Sequence, residues 1–441
     1  MDKNGPELSP VQNDRRLAQD VAGVHRTPER DQDPAKASGA TPLPRAAVSN
    51  VIEMNNVKTA DDLLKYVDDD DKKTTEPPPL TVSWMLNRHP LLGGDYYRAY
   101  RAAALASSRF GWVTSVADRM IASTGIEGAP EGKLGFVTPN RMMGMPDENA
   151  RVFFPDVIVL RPVEKWTKEF TDAAHEAGQV LIADVDDDLW RHEDLLDTGV
   201  ELKNFSTYDE WFPYVDYVLC STRYLADYVR SFGYPAPVVY APNCFDPTTL
   251  NAEPKPSRRL GTRLWLSGRQ DGDVEMYDNF VYPLLDKLDL SFTHIGAEPD
   301  GEAIPGQKAR RSFGWDTPRL IERPSMTIPE MGAEFARFSI GMIMMTPDNL
   351  YNASKTDTHA VELASAGLPL VAASAHDLYK NIPGRIALTA DAVERRVREL
   401  LDPETWYIES KRAKTWARQR SVTCETAYLA ALLQAVNALT K

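Results

Sequence analysis

The sequence predicts an α/β protein with two doubly wound parallel sheets facing each other across a cleft. Three observations predict it. Short apolar runs alternate with helical patterns over most of the chain beyond residue 79. A polar, Pro-containing run, residues 251–262 (NAEPKPSRRLGT), interrupts that alternation, and the alternation restarts after it. A chain of 441 residues, 43% of them hydrophobic, holds enough apolar core for two such units.

Residues 1–78 are rich in Pro, Asp, Lys, Ala and Ser and carry no sustained apolar period, so they read as a disordered tail. One stretch, TADDLLKYVDDDD, has a helix start, with Thr59 as cap and Asp62 three residues on. Leu63, Leu64 and Val67 would form its apolar face, but a solvated linker is the favoured reading. The first domain, 79–250, opens on the β-rich run LTVSWML. A loop (NRHPLLGG) and a helix (DYYRAYRAAALASSRF) follow, then strands KLGFVT, DVIVLR, QVLIAD and DYVLCST with helices VEKWTKEFTDAAHEAG and RYLADYVRSFG between them. The second domain, 259–420, repeats the scheme from RLWLSG through LSFTHIG, RLIERP, SIGMIMM and LPLVAAS. Its helices are MYDNFVYPLLDKL, IPEMGAEFARF and THAVELASAG. Residues 421–441 contain an amphipathic helix that should pack on the body.

Bulk properties exclude several classes. A net charge of −14 disfavours a general nucleic-acid binder, since phosphate rewards clustered Lys and Arg. No apolar run is long enough to span a bilayer, and the polar N-terminus lacks a signal-peptide core, so a cytoplasmic protein is expected. The compact, tail-bearing form suits a bacterium or bacteriophage. Three widely spaced cysteines form neither a disulfide framework nor a zinc pattern, and Cys220 reads as a small core residue. There is no Walker loop, GxGxxG, GxSxG or HExxH. His175 reads as a surface or capping residue, and Trp166, Trp211 and Trp406 fit plain packing.

The most informative stretch runs from Asn352 to Val371. Ser354, Thr356 or Thr358 can cap a helix start, whose N–H groups form an anion site beside Lys355. Glu362 follows two turns later, near the same face. A lysine for a diphosphate and a carboxylate for two ribose hydroxyls suit a nucleotide. On residue types alone, however, an ordinary helix–Gly–strand turn with a solvated Lys and Glu is the favoured reading.

Ser354-Lys355, followed by Glu362-Leu363-Ala364-Ser365-Ala366-Gly367-Leu368-Pro369-Leu370-Val371-Ala372, resembles the donor-site signature of GT-B glycosyltransferases of the retaining "group 1", family 4-like type. Tyr217 to Val229 resembles the strand and helix that end their N-terminal Rossmann-like domain. Ala241-Pro242-Asn243-Cys244-Phe245-Asp246 resembles their crossing into the second domain. Leu264 to Arg269 resembles the first strand and phosphate-side loop of their donor domain, and His294-Ile295-Gly296 the strand end before the nucleobase loop. Together these span roughly residues 80 to 390, in the family's order. The chain departs at Ser354, where many members carry a glutamate that contacts the donor sugar.

The resemblance implies a glycosyltransferase that moves a sugar from a nucleotide-sugar donor to an acceptor hydroxyl with retention, without an obligatory cofactor or divalent metal. The acceptor stays open among glycan, protein, lipid and modified nucleic-acid base. Glu362 would hold the ribose, Arg269 and Lys355 would neutralise the diphosphate, and Thr358 would add a contact to it. Gly93 and Gly94 would let the backbone approach the donor, with Arg98 following on the first helix.

Asp184, Asp186, Asp187 and Asp188 sit at the end of the strand LIADV. Such a cluster can act as a base, bind a metal or contact acceptor hydroxyls. Asp186, Asp187 and Asp188 are the candidate catalytic groups. The spacing is not that of an EF-hand. Asp184-x-Asp186 also resembles the haloacid-dehalogenase phosphatase motif, with Asp184 as nucleophile, Asp186 as acid/base, and Ser221 or Thr222 on phosphate. Asp187-Asp188 replaces that motif's Gly-Thr. A non-catalytic nucleotide-sugar binder, or a protein that glycosylates a nucleic-acid base, are the further readings.

Overall fold

A computed structural model describes residues 52–53, 79–85, 93–117, 119–121, 135–138, 151–161, 166–188, 211–263, 271–296, 313–324, 326–346, 350–374 and 381–439. The first sheet comprises β1 (Thr81–Met85), β2 (Val113–Ala117), β3 (Val157–Leu160), β4 (Val180–Val185), β5 (Tyr217–Cys220) and β6 (Val238–Tyr240). Its order is β6-β5-β4-β3-β1-β2, and every pairing is parallel. The central strands are buried along their whole length, as a sheet covered on both faces requires.

The second sheet comprises β7 (Arg259–Arg263), β8 (Ser291–Ile295), β9 (Leu320–Arg323), β10 (Ile340–Met345), β11 (Leu370–Ser374) and β12 (Arg385–Ile386). Its order is β9-β8-β7-β10-β11-β12, again all parallel. Two six-stranded parallel sheets are the predicted fold class.

Several elements differ from expectation. The second sheet begins at Arg259, inside the run read as linker, and Leu264–Gly268 lie outside the described residues. The polar letters of that strand hide its burial. Thr262 Oγ1 donates to the Met342 carbonyl at 2.8 Å, and a Cβ on Gly261 would run into the Phe338 ring. The strand KLGFVT is not in a parallel sheet. Its Gly135–Thr138 pairs antiparallel with Arg119–Ile121 and Arg151–Phe153, and Ile52–Glu53 from the N-terminal segment joins the same small sheet. The rest of residues 1–78, Thr59 to Val67 included, lies outside the described residues. Strands β2 and β6 escape the apolar pattern because they are sheet edges with half-exposed side chains.

Helix starts follow the local chemistry. The first helix begins at Gly93–Asp95, passes through a π-helical turn, Tyr96–Tyr100, and continues as α1 (Arg101–Phe110). Thr167 caps α2 (Lys168–Glu176) and Thr222 caps α3 (Arg223–Ser231), each through its hydroxyl. A Pro at its second position fits the start of α5 (Tyr282–Lys287), just after α4 (Asp271–Phe280). A Thr327–Glu330 capping box opens α6 (Ile328–Phe335). Next come α7 (Leu350–Ser354), α8 (Thr358–Ser365) and α9 (Ala390–Leu400).

The helix expected within residues 421–441 is the end of one longer helix, α10 (Pro403–Leu439). Its buried face changes partner along its length. Trp406, Ala413 and Ala417 pack in the cores of the second domain, whereas Tyr428, Leu432, Ala435 and Val436 pack against β1, β3 and β5 of the first. No helix among the described residues is long and apolar enough to cross a membrane.

Candidate functional site

Asp184 is the fifth residue of β4, and its carboxylate points into the protein with 0% exposure. Arg98, on the π turn of the first helix, is equally buried and donates from Nε to Asp184 Oδ1 at 2.7 Å. Its Nη1 donates to the Ala241 carbonyl at 2.7 Å and to Asn243 Oδ1 at 3.0 Å. The Tyr428 hydroxyl lies 3.2 Å from Asp184 Oδ2. A buried charge is tolerated only when paired and hydrogen-bonded, and here both are. Arg98, expected at the donor, is therefore a strut between the first helix, β4 and the crossing segment. Asp184, the nucleophile of the phosphatase reading, has both oxygens engaged and no exposed surface.

Arg161 directly follows β3 and is 3% exposed. Its Nε reaches Asp95 Oδ1 at 3.0 Å and its Nη2 reaches Asp186 Oδ2 at 2.6 Å. Burial works to raise the Asp186 pKa, but Arg161 and Arg98 outweigh it and hold the carboxyl below its ordinary range. Gly94 lies directly against this pair, and a Cβ there would fall on Asp186 Oδ2. Gly93 begins the helix one residue earlier. Asp187 faces the other domain, and its Oδ1 lies 2.8 Å from Lys355 Nζ. Asp188 is buried. Asp184, Asp186 and Asp187 are thus answered in turn by Arg98, Arg161 and Lys355. Among the described residues no group of three or more His, Cys, Asp or Glu is arranged to hold a metal ion.

On the second domain the helix start differs from expectation. The cap position of α8 is Asp357, which makes no capping bond; Arg420 of α10 takes its carboxylate at 2.6 Å. Thr358 Oγ1 instead accepts from Asn243 Nδ2 at 2.8 Å, and Ser354, fully buried, offers its carbonyl to Thr222 Oγ1 at 3.3 Å. Lys355 precedes the helix rather than sharing a face with Glu362. Glu362 is 0% exposed, and its oxygens accept from Arg263 Nη1 at 2.6 and 2.7 Å. The Tyr97 hydroxyl, from the first domain, donates to Glu362 Oε1 at 3.0 Å. Half-buried His359 stands between these groups. Burial, then Arg263 and Lys355, push its imidazole down to about 3. Asp273, near the start of α4, accepts from the Thr346 amide and from Asn352 Nδ2, each at 2.8 Å. Its burial raises its carboxyl to about 6.

The structure brings Gly94, Asp186, Asp187, Lys355, Thr358 and Glu362 to the facing ends of the two sheets. It sets Arg98 aside, and Arg269 lies outside the described residues. Sequence reasoning passed over Tyr97, Arg161, Asn243, Arg263, Asp273 and His359. A signal existed for two of them: Arg161 and Arg263 are the charged residues at the carboxyl ends of strands, where ligand-side groups of open α/β sheets cluster.

The sequence matches no family model and no curated protein. Solved structures do match. A sucrose-phosphate synthase from Thermosynechococcus elongatus aligns over 81% of this chain and 99% of its own, at 9% identity and a TM-score of 0.51. A T4 phage BGT variant in complex with UDP-glucose aligns over 81% and 99%, at 9% identity and a TM-score of 0.47. The pneumococcal O-GlcNAc transferase GtfA, in complex with UDP and GlcNAc, aligns over 82% and 99%, at 10% and 0.41. The sheet orders, the crossing segment, the returning α10 and the first of these alignments agree: this chain has the GT-B fold of two Rossmann-like domains.

Proposed function

We propose that the protein is a glycosyltransferase that moves a sugar from a nucleotide-sugar donor to an acceptor hydroxyl. The observation that carries this reading is the meeting of Lys355 and Asp187 at 2.8 Å, which puts a cation and the uncapped start of α8 opposite the acidic loop. A diphosphate leaving group needs positive charge and N–H donors as it departs. Lys355, the first turn of α8 with Thr358, and Arg269 supply them in this reading. Glu362 takes the ribose once Tyr97 and Arg263 yield it, and Gly93 and Gly94 admit the donor to the first domain's edge. Asp186, Asp187 and Asp188 line the acceptor side, with Asp186 held ionised by Arg161. The reaction proceeds with retention and without an obligatory divalent metal.

The test is nucleotide release from a panel of UDP-, GDP-, ADP-, CMP- and dTDP-sugars, with and without EDTA, beside Glu362→Ala and Lys355→Ala. Release from one donor that survives EDTA and is lost in both variants is the expected result. Nucleotide binding without turnover would make the chain a nucleotide-sugar binder. No release, and no thermal stabilisation by any nucleotide, would refute the reading.

A further inference from the structure

We propose that the two domains are latched to each other by contacts that imitate a bound nucleotide, and that a nucleoside diphosphate opens the latch by replacing them in a fixed order. This rests on the reading of the second domain as the nucleotide domain. Two contacts make the latch. Asp187 of the first domain places a carboxylate oxygen 2.8 Å from Lys355 Nζ. Tyr97 of the first domain places a hydroxyl 3.0 Å from Glu362 Oε1. To an ammonium, a carboxylate oxygen and a phosphate oxygen are the same kind of partner. To a carboxylate, a phenol hydroxyl and a ribose hydroxyl are the same kind of donor. Lys355 and Glu362, two of the second-domain groups assigned to the donor, are therefore held by first-domain groups of matching chemistry.

Exposure sets the order. The Asp187 and Lys355 side chains are 31% and 26% exposed, so an incoming anion reaches them directly. Glu362 is fully enclosed, with Tyr97 at 1% exposure over it and Arg263 across both oxygens. No hydroxyl of a ligand reaches Glu362 until Tyr97 withdraws. Phosphate therefore exchanges for Asp187 first and ribose for Tyr97 second. Further cross-domain bonds among the described residues, from Asn243 Nδ2 to Thr358 and Thr356 and from Thr222 to the Ser354 carbonyl, involve neither Lys355 nor Glu362. They stay as the hinge side of the contact.

The experiment is calorimetric titration of the full chain with inorganic pyrophosphate and with UDP, GDP and ADP at low salt. Wild type is compared with Asp187→Asn, Asp187→Ser, Tyr97→Phe and Lys355→Gln, each shown by circular dichroism to be folded. Both Asp187 variants should bind pyrophosphate and the preferred nucleoside diphosphate at least threefold more tightly. Tyr97→Phe, which changes no charge, should tighten the nucleoside diphosphate by a similar factor and leave pyrophosphate unchanged, because pyrophosphate has no ribose. Equal or weaker binding by the Asp187 variants, or a Tyr97→Phe effect that is absent or the same for both ligands, overturns the latch while Lys355-dependent binding keeps the nucleotide reading. No Lys355-dependent binding of any of these ligands overturns both.

Discussion

Arg98 donates from Nε to Asp184 Oδ1 at 2.7 Å, and neither side chain has any exposed surface. The pair joins the first helix to the middle of the first sheet, and through Asn243 it touches Thr358 of the second domain. Removing one partner of a buried pair strands the other's charge in a medium that solvates it poorly. Arg98→Met should therefore lower the free energy of unfolding by about 3–5 kcal/mol, read from denaturant titration at pH 7. Adding Asp184→Asn to that variant should recover part of the loss, because the stranded charge is gone. Nucleotide affinity per folded molecule should stay near the wild-type value. A variant of intact stability that no longer binds nucleotide would return Arg98 to the donor site.

Asp273 sets a pH dependence of opposite sign to that of an ordinary ion-paired carboxylate. Its folded pKa, raised by burial to about 6, lies above the unfolded value near 3.8. Between those values the folded state holds the extra proton, so stability falls as pH rises through that window and stays lower above it. The penalty at neutral pH is on the order of 3 kcal/mol for a shift of this size. Asp273→Asn keeps an oxygen for the Thr346 amide and for Asn352 Nδ2 and loses the charge. It should be more stable than wild type at pH 8 and show no advantage at pH 3.5, measured by urea unfolding at both values. An equal difference at the two pH values would show that Asp273 takes up no extra proton on folding.

The fold was legible because both sheets are parallel and buried, so their central strands are written as unbroken apolar runs such as VIVL and IGMIMM. The edges of the first sheet were not legible, since β2 and β6 are half-exposed and spell no such run. The first strand of the second domain was read at RLWLSG rather than at Arg259–Arg263 because Gly261 and Thr262 are small or polar letters that close packing against Phe338 and Met342 places inside. At the site, the letters of Glu362 and Lys355 could be read, but not who holds them. Tyr97 meets Glu362 across 265 residues of chain and Lys355 meets Asp187 across 168. No local pattern encodes pairings made between two domains. The sequence likewise places Arg98 near the cleft, and only the fold shows its guanidinium turned inward onto Asp184.

His359 should make the protein acid-sensitive. Its folded pKa of about 3 lies below the unfolded value near 6.5. Between these values the unfolded chain binds the extra proton, so stability is lost as pH falls from 6.5 toward 3. His359→Gln removes that proton uptake. Its unfolding free energy should fall less steeply than that of wild type between pH 6.5 and pH 4. Parallel curves would show that the imidazole charges in the folded protein despite Arg263 and Lys355.

Under the proposed function, substitution of Gly94 should separate catalysis from binding. A Cβ at this position would fall on Asp186 Oδ2 and within 3.3 Å of Arg161 Nη2. Asp186 cannot step aside freely, because Arg161 holds it at 2.6 Å and Arg161 is itself fixed by Asp95 at 3.0 Å. In Gly94→Ala the carboxylate must move by a substantial fraction of a bond length or the helix start must shift away. Misplacing a reacting group by about 1 Å costs on the order of 100-fold in rate. Gly94→Ala should therefore lower kcat by about that factor once a donor is known. In the proposed function Lys355 and Glu362 hold the nucleotide from the other domain, so the affinity for the released nucleotide should change by less than about threefold, or under 1 kcal/mol. Steady-state kinetics together with calorimetric binding of the product nucleotide measure the two quantities. A variant with normal kcat would remove Asp186 from the reacting groups and leave Gly94 as a packing residue of the first helix. A variant that loses nucleotide affinity with kcat unchanged would place Gly94 against the nucleotide part of the donor.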